Sequence, residues 1–333
     1  VPETTTTVAP AAPTFPLTGL PSADEARRSR PALVVKIDNN NGARPPVGIN
    51  AADVVYEEEI EAGFTRFAAI FQSQDADPVG PIRSARISDA ELLANLNRPL
   101  FAWSGANPIT AAQIQTADLV DVGFDAVPDE YHRATNRPAP SNLFAGTSGL
   151  YQHAGDALPS TPLFQYLPAG ATSPEATPGT GVPGAGGRVV YRSRDIAYVW
   201  DASKRGYDRF QDGTPHADDG GVVVAPENVV FLYIDYVCCP SVPGTPEAQT
   251  LGEGDAAVFT AGRFIDARWS RPTPADVFTL TDTAGAPVRL TPGRTWVELA
   301  NIDSGSAIDE AEASQLLDLA SQPIEQDLGT PEL

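Results

Sequence analysis

An α/β layer domain followed by a mostly β domain, a small barrel or sandwich, is the architecture this sequence predicts, within the α+β or α/β class. Three observations predict it. Apolar runs of strand length alternate with helical periods as far as about residue 117. A stretch rich in Gly, Pro, Ala and Thr then interrupts the chain at 167–187 and reads as a linker or long loop. Beyond it the apolar segments are short, rich in Val, Tyr, Phe, Thr and Trp, and separated by turn residues.

Residues 1–31 read as a tether. Val1-Pro2-Glu3-Thr4-Thr5-Thr6-Thr7 and the Pro/Ala run after it offer too little apolar surface for a core. Such tethers typically follow a removed signal peptide or a lipid-anchored cysteine, so an exported protein is expected, membrane-anchored or secreted. The alternative is a cytoplasmic protein with a ragged tail. The N-terminal domain is expected over 32–166. Ala32–Asp38 is a short buried strand stopped by the turn Asn39-Asn40-Asn41-Gly42. Residues 53–73 make a hairpin bending at Ala62-Gly63-Phe64, with Thr65, Phe67, Ala69 and Phe71 on one face of its second arm. Ile87, Leu92, Leu93 and Leu96 give a helical period over 86–97; a strand at Leu100–Gly105 and a helix at Pro108–Ala117 follow. The mostly β domain is expected over 188–302, with strands near 188–200, 221–224, 228–237, 256–260, 276–281 and 294–300. A helix near 306–321 and a polar tail fill 303–333.

The 333 residues carry 43 acidic against 22 Lys and Arg side chains, a formal charge of −21. That balance argues against nucleic acid, whose phosphates need basic patches, and against docking on anionic lipid. Solubility, or a salt-adapted or high-GC source, accounts for it. Every basic side chain except Lys36 and Lys204 is arginine. No run of about 18 apolar residues occurs, so any membrane attachment is expected through an N-terminal anchor. The two cysteines, Cys238 and Cys239, are adjacent and cannot cross-link distant segments. They close the apolar run Val229–Val237, which makes strand-end packing the expectation, ahead of a redox role.

Two runs concentrate the charge. Glu57, Glu58, Glu59 and Glu61 lie within a few residues, and Gly80-Pro81-Ile82-Arg83-Ser84-Ala85-Arg86 sets two arginines three apart behind a Gly-Pro corner. In an extended strand Glu57, Glu59 and Glu61 share one face and Glu58 the other, with Arg66 as partner across the hairpin. Either this is a solvated edge with ordinary ion pairs, or Glu57 or Glu61 enters a cleft with a raised pKa and does acid–base work. Arg83 and Arg86 are expected at a helix start with Ser84 as cap, where free N–H groups and guanidinium forks hold an anion. The bland reading is internal pairing with the glutamates. Asp38, Asn39 and Arg44 stand at a strand end where α/β sheets place ligands, although a plain turn accounts for them as well. His216 and Asp218 share a tight loop and suit proton transfer or simple loop bracing. The three histidines lack metal spacing, and no nucleophile elbow, phosphate loop or dinucleotide fingerprint occurs. No metal or cofactor is expected.

The series Ile37-Asp38-Asn39, Ala43-Arg44-Pro45, Ala52-Asp53-Val54-Val55-Tyr56-Glu57, Gly63-Phe64-Thr65-Arg66-Phe67 and Gly80–Arg86 resembles the YerB-like bacterial lipoproteins, a family catalogued as of unknown function. Tyr207-Asp208-Arg209-Phe210, Gly213–Asp218, Gly252-Glu253-Gly254 and Pro292–Glu298 continue the resemblance, which spans about Pro16 to Asn301. It implies distinct N- and C-terminal family domains and attachment outside the cytoplasmic membrane, and it implies no activity. One departure is that family members often carry histidine where this chain has Ser141. A base supplied by that histidine would be missing here.

The combined expectation is an envelope protein with an anion-recognising cleft. Asp38, Asn39, Arg44, Arg66, Arg83, Ser84, Arg86 and Asp218 would bind, and a wall polymer or an envelope protein would be the partner. The alternative is a hydrolase of an envelope glycan or phosphodiester using Glu57, Glu61 or His216.

Overall fold

β1 (Leu33–Asp38), β2 (Val54–Glu59) and β3 (Thr65–Phe71) are buried at every residue. Strands covered on both faces read as unbroken apolar runs, and Leu33-Val34-Val35 is one. β2 and β3 form the expected hairpin, in register from Val54↔Ile70 to Glu59↔Thr65. Its bend is one 3-10 turn, Glu61–Gly63, where Ala62 has φ 61° and Gly63 φ 78°. A Cβ on Gly63 would overlap the Cβ of Arg192, so glycine is required on two counts.

The computed structural model describes residues 12–168, 181–238 and 244–323, and these three strands are the middle of its 11-stranded mixed sheet. Most of the expected tether's Thr/Pro run, most of the linker, Cys239 and the end of the tail lie outside the described residues. On one side β1 joins β3 antiparallel, and β4 (Leu100–Ala102) and then Val120–Asp121 follow in parallel. On the other, β2 takes Thr295–Asn301 as a parallel neighbour, and Asn228–Ile234 pairs parallel with that. Gly252–Thr260, Arg263–Arg271 and Thr279–Asp282 continue the sheet antiparallel, and Val182–Pro183, which also pairs with Arg263–Arg271, completes it. The second half is mostly β, as expected, but its strands divide. Some extend the N-terminal sheet, and Gly186–Tyr191, Arg194–Asp201 and Gly206–Gln211 build a five-stranded sheet with short edges at Thr214–Pro215 and Gly305–Ile308.

One core lies on each face of the large sheet. Val34, Tyr56, Ile70, Val297 and Leu299 pack against Leu92, Leu96, Ile114 and Phe164. Val35, Phe67, Phe71, Phe231 and Trp296 pack against Tyr191, Ile196, Tyr198 and Tyr207 of the smaller sheet. The helix Glu310–Ala320 closes that sheet's outer face through Ala313 on Val199 and Phe210. Among the described residues no helix is long and apolar enough to cross a membrane.

The close pairing of the smaller sheet depends on Gly186, whose Cβ would overlap the backbone carbonyl of Tyr198. Gly186→Ala should therefore destabilise the fold by about 1–3 kcal/mol, the usual range for overpacking. A urea midpoint indistinguishable from that of the parent would refute this strand pairing.

Several expectations need correction. The helix over 86–97 is one α-turn, Asp89–Leu92, continued as the 3-10 turn Leu93–Leu96. Residues 81–83 stay extended because they bond along β1: Asp38 N–H donates to Pro81 O, and Arg83 N–H to Lys36 O. Ser84 therefore caps nothing; its carbonyl accepts from Arg66 and Arg86 at 3.4 Å. The helix near 306–321 begins only at Glu310, capped by Asp309, because Gly305–Ile308 is taken up as an edge strand. The apolar run from Val229 stops at Ile234, and Tyr236–Cys238 is a separate strand paired with Pro246–Ala248. Only Val223 of the expected 221–224 strand pairs, as an isolated bridge to Ala217.

Candidate functional site

β1, β2, β4 and Thr295–Asn301 point the same way, so their carboxyl ends meet at one edge of the sheet, the edge where α/β sheets carry ligands. The pleat then sorts neighbouring residues to opposite faces. Lys36, Asp38, Glu58 and Arg66 go to one face; Glu57, Glu59 and Asn39 go to the other.

On the first face Arg66 lies between Glu58 of β2 and Asp38 of β1 in the ladder. It bonds Asp38 at 3.5 Å, whereas Glu58 turns to the buried Lys36, which also holds Asp89 at 2.8 Å. Arg66 was expected to neutralise the glutamates; Asp38 takes that place, because its strand borders Arg66 on the other side. Arg83 Nε bonds Asp38 Oδ2 at 3.0 Å and Ser141 Oγ donates to the same oxygen at 3.2 Å. Arg86 bonds Glu61 at 2.8 Å, and Thr245 Oγ1 donates to Glu61 at 2.9 Å. Three guanidinium groups thus face two carboxylates at one spot. Behind them burial, then Asp89, pushes the Glu58 carboxyl up against the pull of Lys36, which brings that deeper triad toward neutrality.

The arginines are not fully used. Among the described residues the terminal amines of Arg83 have no hydrogen-bond partner, and its side chain is 24% exposed. Arg66 Nε and Arg86 Nε are buried and unpartnered. Burial first, then the charge of Arg86, lowers the Arg66 guanidinium to about 10. Burial raises the Asp38 carboxyl, but Arg66, Arg83 and the Asn40 N–H outweigh it and hold the group below the usual range. Glu61, expected to have a raised pKa in the acid–base reading, has a lowered one: Arg86 and hydrogen bonds overcome its desolvation.

The opposite face is sealed by the second sheet. Glu57 and Arg209 are wholly buried and 2.6 Å apart, with the guanidinium over Trp296 at 5.0 Å and Phe67 at 5.4 Å. Asn39 bonds Glu57 at 3.1 Å, Thr65 at 2.7 Å and Gln211 at 2.9 Å, so it belongs to this network and not to the arginine cluster. Glu298, beside Glu57 in the ladder, accepts from Tyr191 at 2.8 Å and Tyr198 at 2.5 Å. Burial and then the Glu57 charge raise its carboxyl well above the usual range. His216 Nδ1 lies 2.6 Å from Arg209, which donates to it; burial and that cation hold the ring neutral.

The expected His216–Asp218 pair does not form. Asp218 accepts from Asn50 at 2.8 Å and from the Gly220 and Val222 N–H groups at 3.0 and 2.9 Å, so it braces its own loop. Arg44 leans on Asn41 and lies 3.9 Å from Asp212, beside Arg194. Of the expected set, Asp38, Arg66, Arg83, Arg86 and the Ser84 carbonyl come together, with Glu61 at the rim. Lys36, Arg209 and Glu298 went unnoticed as functional positions. Lys36 and Glu298 are lone charges inside apolar runs, as in Trp296-Val297-Glu298-Leu299-Ala300, and that is a readable sign of a buried pair; Arg209, which follows Asp208 directly, carries no such sign.

The fold and the charge arrangement define an α+β protein with one mixed sheet and polar networks on both faces of one edge. The chain belongs to the family described as "Protein of unknown function (DUF3048)": the N-terminal domain matches over residues 17–160 and the C-terminal domain over 188–297. It is 28% identical over 300 residues to "Putative lipoprotein YerB" of Bacillus subtilis (strain 168), covering 87% of each chain. The crystal structure of YerB protein from Bacillus subtilis is similar in fold, with a TM-score of 0.76, 23% identity, 89% of this chain covered and 99% of that one.

Proposed function

We propose that this is an extracytoplasmic envelope protein that recognises an anionic group, a phosphate or carboxylate, at Arg66, Arg83 and Arg86. The group belongs to a wall polymer or to a partner in wall synthesis. The observation that carries the reading is Arg83: Asp38 fixes its Nε at 3.0 Å, while its two terminal amines have no hydrogen-bond partner among the described residues and the side chain is partly exposed. A guanidinium oriented in this way presents a preorganised fork to an oxyanion. The lipoprotein name of the Bacillus subtilis relative supports the location. Binding is favoured over hydrolysis because Glu57 is sealed between sheets and Glu61 is ion-paired, which leaves neither poised as an acid.

Titration calorimetry with inorganic phosphate, and co-sedimentation with purified wall polymer, test this reading. Arg83→Ala should weaken both by about tenfold or more, the worth of a charge-assisted pair of hydrogen bonds, and salt should weaken the parent in the same way. Equal binding by parent and variant, or none by the parent, would overturn it.

A further inference from the structure

A cavity of about 400 Å3 that anion binding alone leaves unused shares two chain segments with the arginine cluster. The first carries Asp38 at one end and Pro45 and Val47 on the cavity wall. The second carries Arg137 on the cavity and Ser141 on Asp38. Ser141 is four steps along the chain from Arg137, so their backbones are at most ~14 Å apart.

The cavity is preformed. Arg137, nine-tenths buried, donates to Ala43 O at 2.9 Å and Pro45 O at 2.7 Å, tying the two segments together. Its guanidinium lies 5.6 Å from the Phe144 ring, and the His132 ring stacks on Phe144 at 6.0 Å. Asp219 is held at the rim by its N–H on Pro46 O at 3.1 Å. The apolar part of the lining comes from Pro45, Val47, Pro78 and Phe144, and its polar part includes an amide, a carboxylate and an imidazole at exposed positions.

That combination suits hydroxyl groups on a small carbon skeleton. C–H faces lie on the proline and phenylalanine surface, and O–H groups donate to Asp219 and exchange hydrogen bonds with Asn136 and His132. A second anion is disfavoured, because Asp219 repels it and both terminal amines of Arg137 are already engaged by backbone carbonyls. We propose that the cavity takes the hydroxylated body of a ligand whose anion Arg83 holds, namely a phosphorylated sugar or polyol. This rests on the anion-binding reading above.

Titration of the full chain with inorganic phosphate, glycerol 3-phosphate, glucose 1-phosphate and glucose decides it. One of the two organic phosphates should bind about tenfold more tightly than inorganic phosphate, the gain expected from two or three rim hydrogen bonds. Asn136→Leu, at an exposed position, and Asp219→Asn should each reduce that gain and leave inorganic phosphate unchanged. Arg83→Ala should weaken every phosphate alike. A purified glycerol-phosphate polymer that competes better per phosphate than the monomer would identify the source as polymer; equal competition would identify a free small molecule. Equal affinity for inorganic and organic phosphates, or a gain that neither Asn136→Leu nor Asp219→Asn reduces, would overturn the cavity assignment while the anion site stands. Failure of every phosphate to bind would overturn both.

Discussion

Arg209→Ala should lower the stability of the fold by about 3–5 kcal/mol, the cost of leaving a buried carboxylate without its cation. Arg209 is on the strand Gly206–Gln211 of the smaller sheet and Glu57 is on β2 of the larger, so their 2.6 Å pair joins the two layers. Among the described residues nothing else cationic bonds Glu57: Asn39 supplies its other side-chain hydrogen bond, and Glu298 beside it is a second acid. The guanidinium also fills the space between Phe67, Tyr198 and Trp296, so truncation leaves a cavity as well as a charge. Urea unfolding at neutral pH measures the loss. The double variant Arg209→Met with Glu57→Gln should recover much of it, because an uncharged pair of similar volume carries no penalty for desolvating a charge. A single-variant loss below about 1 kcal/mol would mean that the pair does not join the sheets in solution.

The parts of the molecule that were legible from sequence are local ones. β1, the β2–β3 hairpin and the helix Pro108–Thr116 follow from runs and punctuation inside a few dozen residues, and Asn107 with Pro108 marks that helix start plainly. Asp38, Arg66, Arg83 and Arg86 were legible as a cluster because the hairpin and the Gly80-Pro81 corner bring them back to one strand end. What was not legible came from partners far away in sequence. The Val54↔Thr295 pairing that merges the two halves into one sheet joins residues more than 200 apart, and no pattern in either strand announces the other. The alternation of Glu57 and Glu58 correctly separated them into two faces, but both faces proved to be covered, one by the five-stranded sheet. Ser84 failed as a cap for a similar reason: hydrogen bonds from residues 81–83 to β1 and to Leu143 win over a local helical start.

Lys36→Met should cost about 3–5 kcal/mol at pH 8, by the same rule of the stranded buried charge. Lys36 is fully buried and holds two carboxylates, Glu58 and Asp89, which are themselves buried. The dependence on pH separates this loss from a packing defect. Glu58 is already raised in the parent by desolvation, and Lys36 is the strongest influence holding it down. Removing the lysine raises it further, whereas the unfolded chain keeps an ordinary glutamate near 4.5. A carboxyl whose folded value exceeds its unfolded one binds its proton more tightly in the native state. Its stability contribution is complete below the unfolded value and is lost as pH rises through the folded one. The variant should therefore approach the parent near pH 5 and diverge from it toward pH 8, and adding Glu58→Gln should flatten the difference. Asp89 also accepts the Arg86 N–H at 2.6 Å, which makes the triad the support on which the arginine cluster rests. Denaturation midpoints at several pH values measure the stability, and phosphate titration of the same variants measures the site. A penalty that does not change with pH would assign Lys36 to packing alone. A penalty that grows with pH while phosphate affinity falls in step would connect the buried triad to recognition at Arg83 and Arg86.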